Sequence, residues 1–288
     1  MVTRPCPLCG RAECQPYLTT GDTTFGFAGT FQVVRCPACT MLYTNPQVAP
    51  EDLHAFYPPD YSAHASDRAH TQKKHPRGRD PWDVLPEVGQ KRLLDVGCGS
   101  GAYLLRQQDA GWRVFGVEPS TRAVLAARAL GLEVIEGAIP GAKLPQEQFE
   151  VITMLGVLDH LPEPAATLRA LRGMTAPQGR LIVSVPNAAS AAAALFGADW
   201  PGWDLPRHQN HFAPMTLRQL IQRAGFDQVR LLWKRRTKRW QEGARLRRAA
   251  TGALGWKLLA RSRTLCSYLA ALRSRGERSD EIVAVAVG

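Results

Sequence analysis

Two cysteine pairs, Cys6-Pro7-Leu8-Cys9 and Cys36-Pro37-Ala38-Cys39, stand near the start of the chain. Each C-x-x-C is a tight turn that sets two thiolates on one side of the backbone, which suits half of a tetrahedral zinc site. Four such ligands make a closed site that supplies folding energy rather than chemistry. Cys14 is a spare thiol that could replace one of the four. A second signal is Leu93-Leu94-Asp95-Val96-Gly97-Cys98-Gly99-Ser100-Gly101, a buried-strand pattern running into three alternating glycines. Glycine lets the backbone turn sharply and approach a ligand with no Cβ in the way, so this turn reads as a cofactor cradle. Glu118 follows 21 residues after Gly97, close to the roughly 20 expected of a carboxylate that binds ribose hydroxyls. Taken alone, Gly97-x-Gly99-x-x-Ala102 also fits a nicotinamide fingerprint. Groups able to move a proton fall in two places: Asp159-His160, and Asp204, His208 and His211 within DWPGWDLPRHQNHF. A histidine near neutrality can accept a hydroxyl proton. His208 or His211 is the expected base, with Trp200 and Trp203 walling the acceptor pocket.

These groups need elements to position them. Between Cys9 and Cys36, residues Thr23, Thr24, Phe25, Phe27, Phe31, Val33 and Val34 are enough β-formers for a hairpin joining the knuckles, so residues 1–45 are expected to form a zinc-ribbon-like module. Residues 46–90, rich in Pro, His, Asp and Lys, read as a helical connector or lid. There, Tyr57 and Tyr61 either line a pocket or dock the connector, the second reading being favoured. From residue 91 short β-branched runs (RLLDV, WRVFGVE, LEVIE, FEVITML, GRLIVSV) alternate with amphipathic segments, which implies parallel strands with helical crossovers. FDQVRLLW and EIVAVAV make seven strands, the last pairing antiparallel at or near one edge. The expectation is an α/β, Rossmann-like seven-stranded sheet over 91–288, with a basic helical insertion at 234–280.

Over about Lys91 to Gly288 the sequence resembles the class I S-adenosylmethionine (SAM) methyltransferases. Asp95, Gly97, Gly99 and Gly101 follow the family's first motif, Glu118 stands at the acid closing the second strand, and FEVITMLGVLDHLPEP is similar to the segment around the fourth. The resemblance implies that the glycine loop, with Cys98, holds the methionine end of SAM and that Asp95 orients its amino group. It implies also that Glu118, next to Pro119, binds the ribose diol, and that Leu155 flanks the cofactor. Many relatives carry Gly-Asp after the third strand, where the acid meets the adenine amino group. Here the stretch is Glu136-Gly137-Ala138-Ile139, which leaves the adenine to backbone, Ala138 or Ile139. The knuckles, the FYPPDYSAH segment and the W…P-x-H…H-F stretch together resemble a bacterial subgroup acting on small molecules, some members in sugar or surface-polysaccharide pathways. Sugar C-methyltransferases with a related zinc module often carry Tyr-x-Glu-His, which is missing here, so oxygen is favoured over carbon as the methylated atom.

The chain has 288 residues, 45% apolar and 21% charged, a packed globular composition that excludes disordered and fibrous classes. No apolar run reaches the roughly 18–20 residues of a membrane span, and MVTRPCPLCG has no signal core, so a cytoplasmic location, peripheral to the membrane if attached at all, is expected. Seven cysteines are too few for a disulfide scaffold. The net charge of +11 is carried wholly by residues 234–280, with 14 Lys and Arg against three acids. Within that stretch Leu254, Leu258, Leu265, Leu269 and Leu272, with Trp256 and Leu259 beside them, recur at near-helical spacing, the pattern of an amphipathic cationic helix. It reads as a cap packed on its own domain or in a homodimer, as an anionic-membrane contact, or, less favoured, as a nucleic-acid contact. The functional expectation is methyl transfer from SAM to a small acceptor, a hydroxyl of a sugar, glycan precursor or related metabolite. RNA methylation and SAM binding without catalysis are the alternatives.

Overall fold

The computed structural model describes residues 1–49, 51–58, 82, 85–86, 89–144 and 148–288. Tyr61 and most of the connector lie outside the described residues. Three antiparallel strands, β1 (Gln15–Thr20), β2 (Phe31–Arg35) and β3 (Leu42–Thr44), follow the first knuckle. The predicted hairpin exists, but Thr23, Thr24, Phe25 and Phe27 belong to its connection rather than its strands. Those residues are tied down otherwise: the Asp22 carboxylate accepts from the amides of Thr24 and Phe25, 2.9 and 3.1 Å.

The main sheet contains β4 (Arg92–Val96), β5 (Arg113–Glu118), β6 (Glu133–Glu136), β7 (Phe149–Leu155) and β8 (Thr175–Pro186), with β10 (Asp227–Lys234) and β11 (Glu281–Val287). The seven strands lie in the order β10-β11-β8-β7-β4-β5-β6. Strands β4 to β8 pair in parallel, and β11 runs antiparallel between β8 and β10, next to the edge as expected. Successive residues alternate faces: Leu93, Val114 and Val151 enter one core cluster while Leu94, Phe115 and Ile152 enter the other, the period-2 division of a sheet covered on both sides. The crossover helices are α1 (Ala102–Gln108), α2 (Thr121–Arg128) and α3 (Pro164–Met174). After β8 come α4 (Ala191–Phe196), the two-residue strand β9 (Asn210–His211) and α5 (Pro214–Arg223).

Strand β9 completes the small sheet, pairing with β3 through Leu42 opposite His211 and Tyr43 opposite Asn210. Cys6, Leu8, Val34, Cys36, Met41 and Tyr43 pack in the same cluster as Leu217 and Ile221 of α5. The first 45 residues therefore share both a sheet and a core with the rest of the chain.

The basic insertion forms three helices, α6 (Thr237–Thr251), α7 (Leu254–Arg261) and α8 (Arg263–Arg273). The expected single leucine-faced helix is not what forms. Ser262 ends α7 and caps α8, its Oγ accepting from the Leu265 amide at 3.1 Å. The buried face consists of Leu259, Ala260, Cys266 and Ala270, packed with Phe196 and Trp240. Leu254, Leu258, Leu265 and Leu272 are exposed, and Leu269 is partly covered. Among the described residues no helix is long and apolar enough to cross a membrane.

Candidate active site and cysteine cluster

Four parallel strands end at one pocket of about 550 Å³. From β4 comes Gly97, from β5 Glu118 with Pro119 and Ser120, from β6 Gly137, Ala138 and Ile139, and from β7 the stretch Gly156, Val157, His160, Leu161 and Pro162. Leu53, His54 and Tyr57 of the connector also line the pocket. Gly97 has φ +71°, and a Cβ there would stand 2.5 Å from Val157 Cγ2. Only glycine makes this turn with the wall so close. The Glu118 carboxylate is already aligned: Oε2 accepts from the Gly99 amide at 3.0 Å and Oε1 from the Ser120 amide at 2.9 Å. That clamp fixes the acid against the glycine loop. Gly97, Glu118, Pro119, Ala138 and Ile139 thus line one cavity.

Asp95, Cys98, Gly99, Gly101 and Leu155 lie outside that lining. Asp95 is buried and accepts from Thr153 Oγ1 at 2.6 Å, and burial, helped by the Glu118 carboxylate, raises it to about 7. The Cys98 thiol turns away from solvent towards the Gly99 carbonyl. At Gly101 a Cβ would meet Leu132 Cδ1 at 2.3 Å, so that glycine serves helix packing. Leu155 packs with the apolar cluster behind β4. Glu136 accepts from Thr121 Oγ1 on the exposed side, leaving backbone, Ala138 and Ile139 at the cavity.

Of the three candidate histidines only His160 lines the pocket. Its Nδ1 lies 2.9 Å from the Tyr57 hydroxyl, a pairing that the proline-interrupted connector sequence gave little reason to expect. Burial lowers His160 to about 4 despite the opposing charge of Asp159, so the ring is neutral through the physiological range. His208 stands behind it, ring centroids 4.5 Å apart. The expectation that His208 acts as the base is corrected by its contacts: Nδ1 donates to the Gly202 carbonyl at 3.0 Å, and Nε2 faces Asp159 Oδ2 at 3.1 Å. Neither nitrogen is available to an acceptor. His211 is corrected too. The Thr44 hydroxyl donates its only proton to the His208 carbonyl at 2.8 Å, so His211 Nε2, 3.2 Å away, donates to that hydroxyl. Burial pushes His211 well below its ordinary range, with His208 and Arg4 adding to the effect.

Trp200 and Trp203 are fully buried core residues, crossed edge to face at 4.9 Å, and lie outside the lining of that cavity. Asp204 belongs to a buried ion pair: the Arg207 guanidinium meets Asp204 at 2.8 Å and Asp22 at 2.7 Å. Burial alone would raise Asp204, but His208 and Arg207 outweigh it and hold the carboxyl well below its usual range. This pair pins the β1–β2 connection to the segment that carries His208.

Cys6, Cys9, Cys36 and Cys39 bring their sulfurs together within 4.8 Å. Cys6 and Cys39 are 3.4 Å apart, Cys9 and Cys36 3.5 Å. Thiolates about 2.3 Å from a tetrahedral zinc ion stand roughly 3.8 Å from one another, so the donor set and spacing fit that metal. Amides of Leu8 and Cys9 point at Cys6, and those of Ala38 and Cys39 at Cys36. Cys14 is not one of the four, and it accepts instead from Asn45 Nδ2 at 3.6 Å.

Arg4 is a site residue that sequence reasoning missed. It is buried, donates to the Pro162 carbonyl at 2.7 Å and to the Gln209 carbonyl, and meets Asn210 Oδ1 at 3.2 Å. Asn210 in turn donates to the Leu161 carbonyl at 2.7 Å. These bonds hold the turn that carries Asp159 and His160. An arginine two residues before a knuckle cysteine carries no signal of such a role.

Residues 64–231 match a family model described as a methyltransferase domain. A ubiquinone biosynthesis O-methyltransferase of Bordetella bronchiseptica is 32% identical over 158 residues, 50% of this chain and 66% of that protein. One of Cereibacter sphaeroides is 31% identical over 163 residues, 52% of this chain and 66% of that protein. The chain thus spans just under two thirds of the length of these curated relatives. Among solved structures, an S-adenosylmethionine-dependent methyltransferase of Mesorhizobium loti aligns with a TM-score of 0.49 at 19% identity, covering 71% of this chain and 94% of that one. Another, of Archaeoglobus fulgidus, gives 0.46 at 17% identity over 69% and 87%.

Proposed function

Since this chain belongs to the SAM-dependent methyltransferase family, we propose that it transfers a methyl group from SAM to a hydroxyl oxygen of a small acceptor. The observation carrying this reading is one cavity that joins Gly97, the amide-clamped Glu118 and the Tyr57–His160 pair. Bound SAM would supply a methyl sulfonium, the electrophile of an in-line displacement. Glu118 would accept from the ribose hydroxyls without first having to reorient. Ala138 and Ile139 would receive the adenine in an apolar slot. Val157, Leu161 and Ile139 exclude water from the reacting centre.

His160 is the proton acceptor in this reading. With Nδ1–H donating to the Tyr57 oxygen, its Nε2 is unprotonated and would take the acceptor's hydroxyl proton as the C–O bond forms and the methyl–sulfur bond breaks, its electron pair staying on the departing thioether. Asp159 and His208 are positioning residues behind it. Oxygen as the methylated atom is supported by the names of the relatives. A sugar, glycan precursor or related metabolite is the proposed acceptor class. Zinc on Cys6, Cys9, Cys36 and Cys39 would lock the small sheet and, through β9, the turn that carries His160.

Labelled methyl transfer from SAM into fractionated cell extract tests the proposal. Label in a small polar or amphiphilic metabolite, retained as an ether, is the expected result. Label confined to RNA, or absent from every fraction, contradicts it.

A further inference from the structure

Helices α7 and α8 bury Leu259, Ala260, Cys266 and Ala270 in one cluster. The opposite stripes are therefore turned away from the protein: Leu254 and Leu258 on α7, and Leu265, Tyr268 and Leu272 on α8. These spacings of four, three and four residues follow one helix face each. Their exposure is large, 76% for Leu254, 68% for Leu258 and 61% for Tyr268. Around them, Arg245, Arg248, Arg261, Arg263, Arg273 and Arg275 are exposed as well. The acids of the insertion do not offset this field evenly, since Asp280 is buried against the Trp240 ring nitrogen.

An apolar stripe flanked by arginines on an outward helix face is complementary to one kind of surface. Lipid headgroups meet the guanidinium groups, and the acyl boundary receives the leucines, with Tyr268 at the junction. A second copy of the chain would bring like charges together. A nucleic acid would meet the arginines but leave five apolar side chains against phosphate. We propose that the exposed face of α7 and α8 docks on an anionic phospholipid bilayer.

The placement bears on the acceptor. Strand β10 runs parallel to β8, so its end at Lys234, where the insertion begins, lies at the carboxyl edge of the sheet. The pocket opens at that edge, and α6 packs on α4, which follows β8. A docked protein would meet an amphiphilic acceptor from the bilayer on the side that holds Glu118 and His160. That consequence rests on the proposed function, whereas the docking does not.

Vesicle flotation of the full chain tests the docking. Wild-type protein should rise with vesicles containing phosphatidylglycerol and stay behind with pure phosphatidylcholine, and added salt should weaken the association. Leu258→Ser/Leu265→Ser/Leu272→Ser should abolish flotation, and Arg261→Gln/Arg263→Gln should lower the partition coefficient by roughly tenfold or more. SAM affinity, measured on the same preparations, should equal that of the wild type in both variants, which separates loss of docking from loss of fold or of cofactor binding. No flotation of the wild type, equal binding to both vesicle types, or flotation untouched by the variants would overturn the proposal. So would a dimer in solution that the leucine variant dissociates, or RNA retention without flotation.

Discussion

His160 and Asp95 are titrating groups whose environments push them in opposite directions. Burial favours the neutral form of each, lowering His160 to about 4 and raising Asp95 to about 7. Neutral His160 contributes stability that is complete above its ordinary value near 6.5 and drains away as pH falls towards 4. For Asp95 the sign reverses, because protonated Asp95 stabilises the fold and the contribution is lost as pH rises from its ordinary value near 3.8 to about 7. Two predictions belong to these residues. Asp95→Asn should raise Tm at pH 8, since the buried charge goes. His160→Gln should keep SAM affinity within a fewfold and lose about 10²–10⁴ of kcat, the usual contribution of a general base. Equal losses in binding and turnover would mark His160 as a wall residue only.

Elements were legible where a single periodicity decided them. All seven main-sheet strands follow from short β-branched runs, and the glycine loop sits where a strand must turn into a helix. In the insertion, leucines repeating at helical spacing predict one amphipathic helix, and two form. Beside Leu259, the small residues Ala260, Cys266 and Ala270 form the buried face against Phe196 and Trp240. The capping serine at 262, which splits one helix into two, was the available signal. At the glycine loop the prediction is steric. Gly97→Ala should cost about 1–3 kcal/mol of stability, from positive φ and collision with Val157, and should weaken SAM binding in proportion. Denaturant melts and titration of one preparation measure both.

At the scale of the whole molecule, the amino-terminal strands and the α/β sheet are one structure joined at β3 and β9. The cysteine cluster was readable from two C-x-x-C pairs, because ligand spacing is local. What could not be read was its connection to the site: Arg4, Thr44 and Asn210 bond across about 160 to 200 positions of sequence, and no local pattern encodes contacts at such separation. The same distance explains why His208 and His211, polar groups in a loop, looked catalytic and serve instead to join the sheets. Loss of zinc should therefore reach the pocket. Removal by a strong chelator, or Cys36→Ser, should lower Tm and turnover together, and metal analysis should give about one zinc per chain before treatment. Unchanged turnover in the zinc-free protein would separate the two regions.

Isothermal titration of the protein and its Glu118→Ala variant with SAM puts the central claim to the most direct test. Single-site binding by the wild type, weakened about 10- to 100-fold in the variant by the lost charge-assisted hydrogen bonds, is the predicted result. No heat from the wild type at millimolar SAM, or equal affinity in the two proteins, would contradict the account.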